Sequence, residues 1–394
     1  MKKMRVKIIY RNYIPLYSGY CSFWMSKIQN VDILIPKPRR NFSIFFKIYK
    51  SIKKFPFTEN LVNIFQKFTF KSFQKFEKNI DLYFYTGLVP SDNFNKPFII
   101  DFEHIYSLFN YKTPSKQDKQ KLLKILHSRY CKKVLPWSIA AKNTLKNLYK
   151  EEYSSIENKV EVSYLALPNY SEIYKGKEDY SLVEKNNNIK LLFVGKDIQR
   201  KGLHEILPAF KKVYKKYQNI ELYCITNYSE KFVEKNKHLN IHFFPFSFEH
   251  TDLIKKFFMT CDLFIMPTHA DTFGMVYLEA LSAGMPIIAT KQFAIPEFLN
   301  HGENGYFVNS NNLFLNDSDI TAEECNKKTA NYKNAEKKLV KDIEKKLKYL
   351  ISKPNTLKKL KKNCTKNFMY KGKFSFKTRN EQFLKIFKQA VDEK

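Results

Sequence analysis

The chain has 394 residues, a formal net charge of +31, 44% hydrophobic and 16% aromatic content. That length suits two domains rather than one core, and that much apolar material excludes global disorder. Lys, Asn, Ile, Phe and Tyr are all abundant, as A/T-rich codons would make them, so part of the charge reflects codon drift; what survives is a basic field that attracts phosphates, nucleotides, nucleic acid or anionic lipid.

From the first residues onward, short apolar runs alternate with helical patterns. The opening MKKMRVKIIYRN has too short an apolar run for a secretory signal, and the strand VKIIY lies inside it. DILIP, DLYFYTG, PFIID, KKVLP and VEVSYLA follow as expected strands. In the second half IKLLFVG, IELYCIT, NIHFFP, DLFIMP and PIIAT continue the series. Helical spacing separates them, as in SIAAKNTLKNLY and LHEILPAFKKVYKKY. Such alternation means parallel sheets covered by helices on both faces. The series pauses in the polar stretch Pro168 to Asn188. The expected division is an N-terminal domain over 1–170, a linker over 171–188 and a C-terminal domain over 189–374. The final segment, 375–394, carries an apolar stripe at Phe383, Ile386 and Phe387 and is expected to dock on the N-terminal domain.

Six scattered cysteines show neither a CxxC pair nor matching His spacing, which fits a reducing, cytoplasmic compartment. No apolar run approaches the length of a membrane span. The segment 37–57, KPRRNFSIFFKIYKSIKKFPF, mixes basic and aromatic residues near helical spacing. Two readings stand for it: a helix lying on anionic membrane, or a basic surface helix of a Lys-rich chain. It matches no nucleic-acid-binding signature, and no nucleic-acid partner is expected.

The densest chemistry lies in HADTFGMVYLEALSAGMPIIAT, residues 269–290. At 100° per residue the apolar side chains after Gly274 spread nearly all round the helix, which marks it as buried. Glu279 is its lone carboxylate, and burial is costly unless something hydrogen-bonds it. Two readings are open: a structural partner such as a backbone amide or a Lys, or the hydroxyls of a ligand. The helix starts at the carboxyl end of a strand, where open α/β sheets bind ligands. N–H groups of Phe273, Gly274 and Met275 would suit an anion or sugar oxygens, and Asp271 stands above the same place. A second loop, GKDIQRKG, puts Gly195, Lys196, Arg200 and Lys201 just before another helix. Cations at a helix N-terminus oppose its dipole unless an anion is meant to sit between them. A diphosphate satisfies both loops.

Together these motifs resemble the family-4 glycosyltransferases, retaining enzymes of the GT-B fold. The family's carboxylate pair matches Asp271 and Glu279 in DTFGMVYLE, and its basic pair matches Lys196 and Lys201 in FVGKDIQRKG. The resemblance covers Ile189 to Val308 well and the rest in outline. It implies two Rossmann-like domains facing each other across a cleft. It also implies a sugar-nucleotide donor, a glycan or lipid-linked acceptor, and transfer of a hexose-type sugar with retention and without metal or other cofactor. Glu279 would grip the ribose and Asp271 the transferred sugar, beside the amides of Phe273 and Gly274. Lys196 and Lys201 would neutralise the leaving diphosphate. His104, past the strand PFIID, matches a His that the family keeps near the sugar; Glu103 is adjacent, and His269 is expected to line the cleft.

The chain also departs from the pattern. Asp271 replaces the usual Glu, Lys196 the frequent Arg, and KQFAIPEF a common Gly pair. Of the N-terminal Gly-Gly loop only Gly19 remains, either lining the cleft or making a turn. Asp317–Asp319 form an Asp-x-Asp, but in an Asn/Ser-rich loop rather than after a nucleotide-binding strand, where metal-dependent enzymes carry it. A sugar-nucleotide epimerase of the same fold, or a basic membrane- or nucleic-acid-binding protein, are the alternatives.

Overall fold

The computed structural model describes residues 3–10, 28–35, 79–90, 94–313, 322–332 and 334–392. Gly19, segment 37–57 and Asp317–Asp319 lie outside the described residues. The described residues form two compact α/β units. One falls within 1–101, 116–135 and 383–394, the other within 102–115 and 136–382.

The first unit is built on a five-stranded sheet with order β2-β1-β3-β4-β5. Its strands are β1 (Met4–Tyr10), β2 (Val31–Leu34), β3 (Leu82–Thr86), β4 (Phe98–Phe102) and β5 (Cys131–Pro136). β1 pairs in parallel with β2 and β3, and β3 with β4. β3 and β4 are buried at every position, as strands covered on both faces must be. Helix α1 (Lys116–His127) joins β4 to β5.

The second unit begins its helices with α2 (Ile139–Tyr149) and the short α3 (Tyr170–Ile173). Its sheet is parallel throughout, with order β11-β10-β9-β6-β7-β8. The strands are β6 (Ile189–Val194), β7 (Ile220–Thr226), β8 (Ile241–Pro245), β9 (Leu263–Met266), β10 (Ile287–Thr290) and β11 (Gly305–Val308). Between and after them run α4 (Leu203–Tyr214), α5 (His250–Leu253), α6 (Met275–Ser282), α7 (Lys337–Ser352) and α8 (Phe376–Asp392). The turns of α8 from Phe383 onward belong to the first unit. There Phe383 and Phe387 pack on Phe84 at ring distances of 5.6 and 6.1 Å, and Ile386 is buried beside them. The apolar stripe predicted that docking.

Strand order decides where chemistry can sit. After β6 the chain adds β7 and β8 on one side, then returns to place β9 on the other. β6 and β9 are neighbours, with Leu191 opposite Leu263. Loops leaving these two carboxyl ends therefore diverge around a topological switch point, the place where open parallel sheets hold ligands.

Two sequence expectations need correction. VEVSYLA forms no strand: Val160 makes a single bridge and the following residues belong to no regular element, while Ser163 N–H donates to Pro136 O (2.9 Å) and, just beyond, Leu167 N–H to Phe374 O (3.1 Å). A short apolar run marks a candidate strand but does not supply the partner that pairs it. Conversely β11 was not foreseen. It is four residues long, and its Gly305 packs so tightly on β10 that a Cβ would lie 2.1 Å from Ile287 O. No helix among the described residues is long and apolar enough to cross a membrane.

Candidate functional site

The loop after β6 is shaped by contact with the end of β9. Gly202 has φ +81°, and a Cβ there would lie 2.3 Å from Pro267 O, so only glycine permits this approach. Asp197 Oδ1 accepts the Arg200 N–H at 3.0 Å, and its other oxygen lies 3.4 Å from Arg200 Nε. Arg200 Nη1 then donates to Ala270 O at 2.9 Å. Arg200, expected as a donor ligand, ties the two loops together through this bond. Gly195 leaves room for Lys201: a Cβ would meet that side chain at 3.0 Å.

Lys201 reaches the carboxylate loop directly. Its Nζ lies 2.5 Å from Asp271 Oδ2, with both side chains largely buried. Burial depresses the Lys201 pKa, Asp271 opposes that, and Arg200 adds to it. Lys196 stays exposed and joins no ion pair among the described residues; its ammonium lies 4.9 Å from the centre of the Phe246 ring.

The loop after β9 is pinned by backbone and side-chain bonds. His269 N–H donates to Arg200 O at 2.8 Å, and Thr268 Oγ1 to Ala270 O at 3.0 Å. Gln292, in the KQFAIPEF segment, accepts the Asp271 N–H at 3.0 Å and donates to His269 O at 3.2 Å. That segment, short of the family's glycines, therefore positions Asp271, a role that its sequence did not reveal. Gly274 takes φ +74°, and a Cβ would strike the Tyr277 ring at 2.5 Å. Backbone N–H groups of Phe273, Gly274 and Met275 have no hydrogen-bond partner among the described residues. They stand at the positive end of α6. The Phe273 side chain itself is core, packed on Trp137 and Phe298.

Glu279 is buried as the helix pattern predicts, and it has a structural partner that the sequence did not suggest. His250 Nε2, from α5, lies 2.9 Å from Glu279 Oε1. That hydrogen bond raises the His250 pKa against the opposing effect of burial.

The histidines behave differently from one another. His269 is wholly buried, with Nδ1 2.8 Å from Asn312 O and Nε2 3.4 Å from Glu205 Oε2. It belongs to the loop's scaffold instead of lining a surface. Burial disfavours charge on Glu205, but bonds from His269, Tyr332 and the Glu336 N–H hold its pKa below the ordinary carboxylate value. His104 is buried, accepts the Tyr106 N–H through Nδ1 (3.2 Å), and stacks on Phe293 at 5.4 Å. Its neighbour Glu103 accepts from Thr272 Oγ1 at 2.7 Å, one residue from Asp271.

Residues 175–339 match the family Glycosyl transferases group 1. That stretch contains both loops, Lys196, Lys201, Asp271, His250 and Glu279. Among solved structures, a glycosyltransferase from Rickettsia africae aligns over 100% of both chains with TM-score 0.65 and 16% identity. HepE of Anabaena, in complex with UDP, covers 98% of this chain and 100% of its own, with TM-score 0.58 and 14% identity. The fold is that of the GT-B glycosyltransferases. A curated relative, the capsular polysaccharide biosynthesis glycosyltransferase CapM of Staphylococcus aureus, is 26% identical over 43% of this chain and 47% of its own length. The match thus spans less than half of that relative.

Proposed function

We propose that this protein is a retaining glycosyltransferase that moves a hexose-type sugar from a nucleoside diphosphate sugar to an acceptor hydroxyl in glycan, glycolipid or polysaccharide assembly, without a metal. The observation that carries the reading is the meeting of two strand-end loops at the β6/β9 switch point. One brings cations and the other brings carboxylates and unpartnered N–H groups, joined by Lys201 and Asp271 at 2.5 Å. The match to Glycosyl transferases group 1 over these same residues supports it. CapM, named for capsular polysaccharide biosynthesis, supports a glycan acceptor.

In this reading Glu279 receives the ribose hydroxyls. Lys196, Lys201 and the N–H groups opening α6 face the diphosphate and stabilise the charge that grows as the bond to the sugar breaks. Asp271, fixed by Lys201 and Gln292, holds a hydroxyl of the sugar. His104 and Glu103 stand on the acceptor side. Retention follows from attack on the face that the diphosphate leaves, with the leaving phosphate taking the acceptor's proton.

Calorimetric titration in EDTA with UDP, GDP, ADP, their common sugars and single-stranded DNA tests this. One nucleoside diphosphate should bind, and Glu279→Ala should weaken it at least about tenfold, the loss of a hydrogen bond to a charged group. Binding that needs added divalent metal would overturn the metal-free mechanism, and DNA binding with no nucleotide binding would overturn the whole reading.

A further inference from the structure

Glu279 is not alone in its pocket of polar groups. Its Oε1 is taken by His250, while Oε2 has no hydrogen-bond partner among the described residues. Tyr170, on α3, is 2% exposed, and its hydroxyl is a buried group with no partner among the described residues. The charge of Glu279 contributes to the raised pKa of that phenol, after burial, so hydroxyl and carboxylate are electrostatic neighbours. The Tyr170 ring also lies 6.1 Å from the His250 ring and 5.9 Å from Tyr174. α3 is clamped to α6: Tyr170 N–H donates to Ser282 Oγ at 3.0 Å, and Ser282 Oγ donates to Pro168 O.

A buried hydroxyl left unpaired costs stability, which a native site tolerates where a ligand completes it. Around Glu279 the ligand chemistry that completes both open positions is a vicinal diol: one hydroxyl donates to Oε2, and the other accepts from or donates to the Tyr170 phenol. His250 stands just before a π-helical turn, Ile254–Phe258, a local irregularity frequent at functional sites.

We propose that Tyr170 and His250 complete the diol-reading site of the donor's ribose, Tyr170 by bonding a ribose hydroxyl and His250 as a positioning residue that turns Oε2 of Glu279 toward the diol. This rests on the nucleotide-sugar reading above and adds two residues to it. The groups facing the His250 imidazole are Glu279 from α6 and the Tyr170 phenol from α3. On its own segment stand Glu249, Asp252 and Lys256, the last two paired at 3.5 Å. Since Glu279 raises the His250 pKa, the imidazolium is present at low pH and is lost as pH rises through that raised value. The charge-assisted bond that holds Glu279 weakens over the same range.

The test titrates UDP-glucose, GDP-mannose and ADP-glucose, and the 2′-deoxy form of whichever binds, into wild type, His250→Gln and Tyr170→Phe between pH 6 and 8.5. Their diphosphates carry no proton to lose in this range, so a pH step reports the protein. Wild type should lose about fivefold in affinity as pH rises. His250→Gln, which keeps a donor but cannot titrate, should be flat. Tyr170→Phe should weaken the ribose form about fivefold and leave the 2′-deoxy form within about twofold of wild type. Identical pH profiles and identical ribose preference in all three proteins would overturn this inference while leaving the nucleotide-sugar reading intact. Wild type binding none of the three donors would overturn both.

Discussion

Two carboxylates eight residues apart on one loop-and-helix segment are neutralised in different ways. Asp271 is locked to Lys201 at 2.5 Å, with both side chains largely buried. Glu279 is paired at 2.9 Å with His250, whose own side chain is half exposed. The first pairing is shielded from water; the second is half exposed and is strengthened by a proton on His250. The carboxylate of the loop is matched by a buried lysine. The carboxylate of the helix is matched by a histidine and keeps Oε2 without a partner among the described residues.

Breaking the buried pair should cost most. Lys201→Met leaves Asp271 buried without its cation, and unfolding free energy should fall by about 3 kcal/mol. Donor turnover should fall about 10²- to 10³-fold as the leaving group loses that charge. Urea melts and donor-consumption assays read the two separately. An unchanged melt would show that the ion pair is incidental. Next come the glycines that shape the segment. Gly202→Ala and Gly274→Ala force a left-handed backbone onto an L side chain, which alone costs about 1–2 kcal/mol. Gly202→Ala should be the worse, because its Cβ meets backbone at 2.3 Å whereas that of Gly274 meets a side chain. Denaturation midpoints in that order would support the packing described; the reverse order would contradict it.

How much of this was legible beforehand depended on distance along the chain. β6 and β9 stood out because IKLLFV and LFIM are unbroken apolar runs of strand length, and Glu279 because it interrupts an all-round apolar helix. Local patterns carry local structure. The partner of Glu279 was hidden because His250 lies 29 residues away on another element, in a stretch whose own pattern is unremarkable. Gln292 was hidden likewise: its segment was read for the glycines it lacks, and the hydrogen bonds it makes to Asp271 and His269 are tertiary. Arg200 carries a bond of the same hidden kind: its Nη1 reaches Ala270 O, 70 residues away in the chain.

Smaller effects sharpen the same contrast. Tyr332→Phe removes the 2.6 Å bond to Glu205 behind the carboxylate loop and should cost about 1 kcal/mol, with donor affinity nearly unchanged. A large loss of affinity would mean that the scaffold and the ligand groups are not separable. The conditional pair gives the least. His250 has a raised folded-state pKa, so its contribution is fully present below the ordinary histidine value of 6.5 and is lost as pH rises through the raised value. For a half-exposed pair this amounts to less than about 1 kcal/mol. Urea midpoints at pH 6 and pH 9 should differ slightly in wild type and converge in His250→Gln; a larger difference in the variant would contradict the assignment.

The central claim is that a nucleoside diphosphate sits at the carboxyl ends of β6 and β9. A crystal structure of the protein with the nucleotide that binds most tightly tests it most directly. The account predicts ribose hydroxyls on Glu279 and phosphate oxygens on Lys196, Lys201 and the N–H groups that open α6. A nucleotide bound elsewhere, with Glu279 contacting only His250, would contradict it.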